Sequence, residues 1–199
     1  MKFFAVVEPE GKVGKTYPLI FQPKVELENP LDSDFLKGTL HPESSVAFVR
    51  EAGTGACDFH HIRHMFGYIV SATFCDALRD HECSGWSTYP VLVHDRKGAV
   101  LPCYEGLVIL GRGRRIDRTH VRESKIQDPL GYIRTVRVGY EVVESSWDGS
   151  DVFLMEGPEA KMGLSLFLSE RGARALTARN LRGFSVERVP EIQWPSWWT

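Results

Sequence analysis

Long hydrophobic runs are missing from this chain. Nothing in it approaches the roughly 18 consecutive apolar residues of a membrane-spanning helix. The amino-terminal run Phe3-Phe4-Ala5-Val6-Val7, closed by Glu8 and Pro9, is shorter than the about 7–15 apolar residues of a secretory signal. A cytoplasmic protein without membrane attachment is expected. Cysteine is scarce too. Cys57, Cys75, Cys83 and Cys103 contain no C-x-x-C pair, which excludes the spacing of a zinc knuckle or a thioredoxin-like site. Reduced, mostly buried thiols are expected. Net charge is nearly nil, with 24 basic and 26 acidic side chains in 199 residues. That excludes a uniformly basic nucleic-acid binder and an acidic tail protein. What the chain has in quantity is aromatic surface: 11 Phe, 6 Tyr and 5 Trp can offset chain entropy over most of its length. One domain is expected over residues 1–199. It would hold an irregular amino-terminal arm (1–58), a first half (59–130) and a second half (131–199).

Proline and glycine punctuate the first fifty residues, leaving short strands at Phe3–Val7, Tyr17–Phe21 and Val46–Val49. An arm or the ragged edge of a sheet fits that pattern. Tyr68–Val70 reads as a strand entering Ser71, a good N-cap for a helix reaching about His81. Thr88–His94 reads as the next strand, and Asp95-Arg96-Lys97-Gly98 as a turn. From Tyr132 to Val143 alternation puts Val136, Val138, Tyr140 and Val142 on one face and Arg137 and Glu141 on the other. One packed and one wet face imply a mixed, mainly antiparallel sheet. The fold class is therefore α+β, with a few short helices.

Residues 69–87 align without a gap on residues 167–185. Ser71 meets Ser169, Ala77 meets Ala175, Leu78 meets Leu176, Gly85 meets Gly183 and Ser87 meets Ser185. Each stretch reads strand, Ser cap, helix, Gly, aromatic, strand. Two explanations stand: an internal repeat, or two instances of a common unit.

The run Ile69–Asp117, the segment Glu144–Gly157 with its Trp-Asp-Gly-Ser-Asp turn (Trp147–Asp151), and Leu166–Val189 with its Ser-Glu-Arg helix start resemble a bacterial family. Its members are small proteins assigned as immunity proteins of polymorphic toxin systems. The resemblance covers residues from about 68 onward, whereas residues 1–67 match no pattern. It implies an α+β fold and a non-enzymatic role in which the chain binds and neutralises a cognate protein toxin. It carries over no catalytic residue.

Several constellations could carry chemistry. Asp58, His60, His61 and His64 lie within seven residues. If 59–66 were helical, His60 and His64 would share a face as two metal ligands do. His61 stands where H-E-x-x-H places its general base, and no spacing selects a third ligand. A metal-binding protein or metal-dependent enzyme using this cluster is the alternative to the immunity reading, and a polar element without metal is the plainer one. Gly111-Arg112-Gly113-Arg114-Arg115 could line an anion, yet no Lys-Ser or Lys-Thr follows. Between Arg112 and Lys125 six basic and two acidic residues occur without an aromatic, which argues against a stacking platform for single strands. A solvated loop fits better than a nucleic-acid site. No cofactor is expected.

Between Arg137 and Lys161 no basic residue occurs, while Glu141, Glu144, Asp148, Asp151, Glu156 and Glu159 are all acidic. With Trp147, these residues are the candidate partner-binding set. Such a face could mimic phosphate toward a basic toxin cleft and steer its approach, or it could be a solvated loop. Gly85-Trp86-Ser87 and Gly183-Phe184-Ser185 lack the second glycine of a nucleophile elbow, which excludes serine hydrolase chemistry on that motif. Trp194, Trp197 and Trp198 crowd the carboxyl end, where folding back onto the core is expected. The oligomeric state is left open.

Overall fold

The computed structural model describes residues 1–7, 20–23, 45–52, 57–62, 67–127, 131–156 and 165–196. In chain order come β1 (Phe4–Val7), β2 (Ile20–Pro23), β3 (Val46–Ala52), β4 (Phe59–His61), β5 (Tyr68–Ser71) and helix α1 (Ala72–Asp80). Then follow β6 (Trp86–His94), β7 (Val100–Leu101), β8 (Tyr104–Ile109), β9 (Gly111–Gly113), β10 (Ile116–Asp117), β11 (Arg122–Gln127), β12 (Ile133–Val138) and β13 (Glu141–Val142). After these stand β14 (Val152–Met155), β15 (Phe167–Leu168), helix α2 (Glu170–Thr177), β16 (Ser185–Arg188) and β17 (Trp194–Pro195). The protein is α+β. Among the described strands, β3–β6 and β9–β14 pair in parallel and the other pairings are antiparallel.

Two sheets organise the molecule, in the orders β2-β3-β6-β8-β5-β4 and β16-β1-β15-β14-β9. In the first, β8 lies between β5 and β6 and is antiparallel to both. In the second, β1 lies between β15 and β16 and is antiparallel to both. The amino-terminal strand is thus an inner strand, not an arm or a ragged edge. Its short, proline-bounded run looked peripheral because its partners lie more than 160 residues away, as in Phe4↔Leu168 and Phe4↔Arg188.

Alternation along the second sheet buries both faces. Val6, Val152, Leu154 and Leu168 pack with Phe74, Leu78 and Leu176 of the helices. Phe3, Ala5, Phe153 and Phe167 turn to the other side and pack with Tyr140, Ile192 and Trp194. Burying each large apolar side chain is worth about 1.5–3 kcal/mol. Trp194 stacks on Phe167 at 6.2 Å between centroids and is 3% exposed, so the tail does dock in cis at this residue. Trp197 and Trp198 lie outside the described residues.

The strand read as continuous from Tyr132 to Val143 is two strands. Gly139 has φ +95°, and a side chain there would meet the His120 carbonyl oxygen at 2.3 Å. The bend lets Val142 leave the β11-β12-β17 sheet and pair with Ile116. No described helix is long and apolar enough to cross a membrane.

Candidate functional site

The two helices begin on matched polar clasps. Ser71 Oγ accepts the Phe74 amide at 3.1 Å and donates to Asp58 Oδ1 at 2.6 Å. Asp58 Oδ2 accepts the Arg182 amide at 2.7 Å. At the other helix, Ser169 Oγ accepts the Arg171 and Gly172 amides, each at 3.2 Å, and donates to Asp151 Oδ1 at 2.6 Å. Asp151 Oδ2 accepts from the Ser84 amide at 2.9 Å, the Ser84 hydroxyl at 3.0 Å and Arg171 Nη2 at 2.5 Å. Each aspartate therefore ties a cap serine to the loop that follows the opposite helix. Burial alone would raise the Asp151 carboxyl. The donors from Arg171, Ser169 and Ser84 outweigh it and hold the group down at about 2.

That placement changes the reading of the acidic set. Asp151 is 3% exposed and cannot present its charge to a partner. Glu144 pairs with the amino-terminal ammonium at 2.6 Å. Trp147 is half-buried; its ring meets Phe3 edge-on at 5.2 Å, and its Nε1 donates to the Ser150 carbonyl at 2.8 Å. Asp148 is exposed, and its carboxylate accepts the Arg112 amide at 2.7 Å and the Ser150 amide at 3.0 Å. Glu156 pairs with Arg112 Nε at 2.8 Å. Glu141 is exposed on β13, and Glu159 lies outside the described residues. The set is dispersed, and much of its charge closes on the protein itself.

The basic run is partly strand and partly solvated loop: Arg112 pairs with Glu156, whereas Arg114, Arg115, Arg118, Arg122 and Lys125 are exposed. Gly111-Arg112-Gly113 is β9, parallel to β14 with Phe153↔Gly111 and Met155↔Gly113. A side chain at Gly111 would meet the Val152 carbonyl oxygen at 2.3 Å, and one at Gly113 would meet Met155 Sδ at 2.9 Å. These glycines admit a neighbouring strand; they do not cradle an anion. Asp117 pairs in register with Glu141, and Gly113 bridges to Trp147. The basic and acidic runs noted in the sequence lie against one another.

The histidine cluster is not helical where it is described, because residues 59–61 form β4 against β5. His60 is fully buried, and its Nε2 lies 3.0 Å from the Cys57 carbonyl oxygen. His64 lies outside the described residues, so the expected pairing of His60 with His64 falls outside them too. Among the described residues no group of three or more His, Cys, Asp or Glu is placed to hold a metal. All four cysteines are free thiols. The expectation of mostly buried thiols is corrected, since Cys75 alone is buried, Cys57 and Cys83 are half-buried, and Cys103 is exposed. Burial pushes the Cys75 thiol up to about 12 and the Cys83 thiol up to about 11, so both are poor nucleophiles at neutral pH. A recess of about 600 Å³ between the helices is lined by His81, Arg171, Arg174, Thr177 and Ala178. Its Arg171 is already committed to Asp151.

The feature that sequence reasoning missed is a ribbon. β11 and β12 pair from Arg122↔Val138 to Gln127↔Ile133, and no residue of β11 is buried. A strand lying flat on a core buries alternate residues; β11 exposes both faces. Near the far end, Tyr132 is 67% and Ile133 73% exposed. The chain matches no protein-family model, and no curated protein is significantly similar to it.

Proposed function

We propose that this chain is a non-enzymatic immunity protein that binds a cognate bacterial toxin in the cytoplasm and so neutralises it. The resemblance of residues 68 onward to that family suggests the role. The observation that carries it is the accessibility of β11, none of whose residues is buried, together with the exposure of Tyr132 before β12 and Ile133 on it, accessible apolar surface of the kind that interfaces use. Co-expression tests the reading. Bacterial cells producing the toxin domain encoded beside this chain are expected to regain growth when the full chain is produced with it, and the two proteins are expected to co-purify. Continued growth arrest with the chain present at high level counts against the reading.

We further infer that the two strand–helix–strand stretches are copies of one unit. The matched positions support this beyond the sequence identities. Phe59↔Val70 corresponds to Val152↔Leu168, and Ser87↔Val108 with Tyr89↔Gly106 corresponds to Ser185↔Val7 with Glu187↔Ala5. The clasps are reciprocal: Asp58 takes the Arg182 amide, and Asp151 takes that of Ser84, positions matched by the same offset. In this reading β1 supplies to the second unit the strand that β8 supplies to the first. A crystal structure whose units superpose by a two-fold rotation would support it; superposition only by an unrelated transformation would count against it.

A further inference from the structure

We propose that the recess between the two helices is a binding site for a small organic carboxylate, gripped by Arg174 and His81. It stands apart from the toxin-binding reading and uses none of its residues.

The recess, at about 600 Å³, has the size of small-molecule pockets, which run from about 300 to 1,000 Å³. Among the described residues it is lined by His81, Arg171, Arg174, Thr177 and Ala178. Three of these can carry positive charge and none can carry negative charge. The Arg171 guanidinium is taken by Asp151, and Glu82 acts on it as well. Arg174 is exposed and makes no ion pair with another described residue. His81 closes α1, with Nδ1 donating to the Ala77 carbonyl oxygen at 3.0 Å. That leaves Nε2, which donates to a carboxylate when the ring is protonated.

The molecule contains its own control for this arrangement. At the offset that relates the two strand–helix–strand stretches, the five positions correspond in turn to Arg179, Thr73, Asp76, Arg79 and Asp80. There the charges close on one another. Arg179 donates to Asp80, and Arg79 to Asp76 at 2.9 Å. Arg179, just past α2, thus reaches α1, as His81, just past α1, faces α2 across the recess. In the recess both carboxylates are gone: Arg174 stands for Asp76 and Ala178 for Asp80. A ligand carboxylate supplies there what Asp80 supplies at the counterpart.

Helix polarity decides the class of anion. His81 caps the C-terminus of α1, and Thr177 and Ala178 end α2. Such ends carry partial negative charge and offer no free backbone N–H, so they disfavour a phosphate dianion. A singly charged carboxylate held by a guanidinium fork asks nothing of the backbone. Thr177 donates its hydroxyl to the Ala173 carbonyl at 2.8 Å, which leaves its methyl, with Ala178, as apolar lining.

The test uses the full chain with butyrate as the probe, at constant ionic strength. Butyrate is expected to shift the Arg174 Nε–H and His81 ring signals in NMR spectra saturably, and inorganic phosphate to bind at least about fivefold more weakly. In the variants the His81 signals report. Arg174→Gln is expected to weaken butyrate binding at least about fivefold. Ala178→Asp, which puts the counterpart's carboxylate back in cis, should do the same. Arg179→Gln, at the counterpart, should leave binding within about twofold. Melting curves should show the first two variants folded, because both positions are exposed. No saturable shift with butyrate overturns the proposal and leaves the cations as complements of the helix ends. Phosphate binding as tightly as butyrate overturns the carboxylate class. Undiminished binding in Arg174→Gln or Ala178→Asp places the ligand elsewhere and overturns the site. None of these measurements needs a toxin, so their failure leaves the immunity reading standing.

Discussion

Asp151→Ala is expected to lower the unfolding free energy by about 2–4 kcal/mol, the cost of leaving the donors of Ser84 and Ser169 without their acceptor. The carboxylate is 4% exposed and takes Arg171, Ser169 and Ser84 at once. Removing it strands the Ser84 amide and unties the cap serine of α2 from the loop after α1, while the half-exposed Arg171 guanidinium is left to solvent. Asp148→Ala, at an exposed position three residues earlier, is expected to cost about 1 kcal/mol or less, through loss of two backbone contacts in a turn. Urea unfolding of both variants measures the difference. Equal effects would mean that the clasp contributes little to stability.

The same carboxylate gives the stability a defined pH dependence. Its folded value of about 2 lies below the ordinary aspartate value. The contribution is therefore present above the unfolded value and is lost as pH falls through the folded one. At about 1.4 kcal/mol per tenfold change in proton affinity, the charge is worth about 2 kcal/mol at neutral pH. Asp95 and Asp117 are also held below the usual range by local hydrogen bonds, so the acid loss of the unaltered chain is not due to Asp151 alone. The informative quantity is the stability gap between that chain and Asp151→Asn, expected to narrow between about pH 4 and pH 2. A gap constant over that window would place the carboxyl's effect outside its charge.

What was legible in the sequence was local. Ser71 and Ser169 announce their helices because a cap acts within three residues. Gly85 and Gly183 mark the exits because only a residue without Cβ adopts φ near +90° at little cost. Sheet order was not legible. β1 and β8 hold the same place between parallel strands, but one is the start of the chain and the other follows β6. Charge was misread for a related reason. Asp151 sits among exposed acidic neighbours, and its donors Ser84 and Arg171 are 67 and 20 residues away; no local spacing sets it apart. The Gly111 and Gly113 pair looked like a loop because closeness to another strand and closeness to a phosphate require the same residue. The exposure of Tyr132 and Ile133 was hidden by good alternation through Val143, which the bend at Gly139 interrupts.

Gly85→Ala is expected to be, with Gly139→Ala, among the most damaging glycine substitutions, because at both positions two penalties coincide. At Gly85 the φ of +86° costs an L residue about 1–2 kcal/mol. Its new Cβ would also lie 2.3 Å from the Val152 carbonyl oxygen and 2.5 Å from Ser150 Cβ. That carbonyl begins β14, and the Gly85 carbonyl in turn accepts the Leu110 and Gly111 amides at 2.8 and 3.0 Å. Neither side can give without opening the junction of the two sheets. The combined cost should reach about 4 kcal/mol or more, the range reserved for a few severe mechanisms. Two controls separate the penalties. Gly98→Ala has the same φ of +86° with nothing within 4 Å of the new atom, and should cost only about 1–2 kcal/mol. Gly111→Ala meets the same Val152 carbonyl at 2.3 Å without a positive φ, and measures the clash alone. Gly183→Ala, at φ +95° and 2.6 Å from Cys57 Cβ, should fall between Gly98→Ala and Gly85→Ala, because it meets a side chain and not a backbone carbonyl. Denaturant midpoints at a common slope rank the four. If Gly85→Ala costs no more than Gly98→Ala, the junction yields to the new methyl, and the clasp at Asp151, anchored in the same Ser84–Gly85 loop, would have to be softer than its geometry implies.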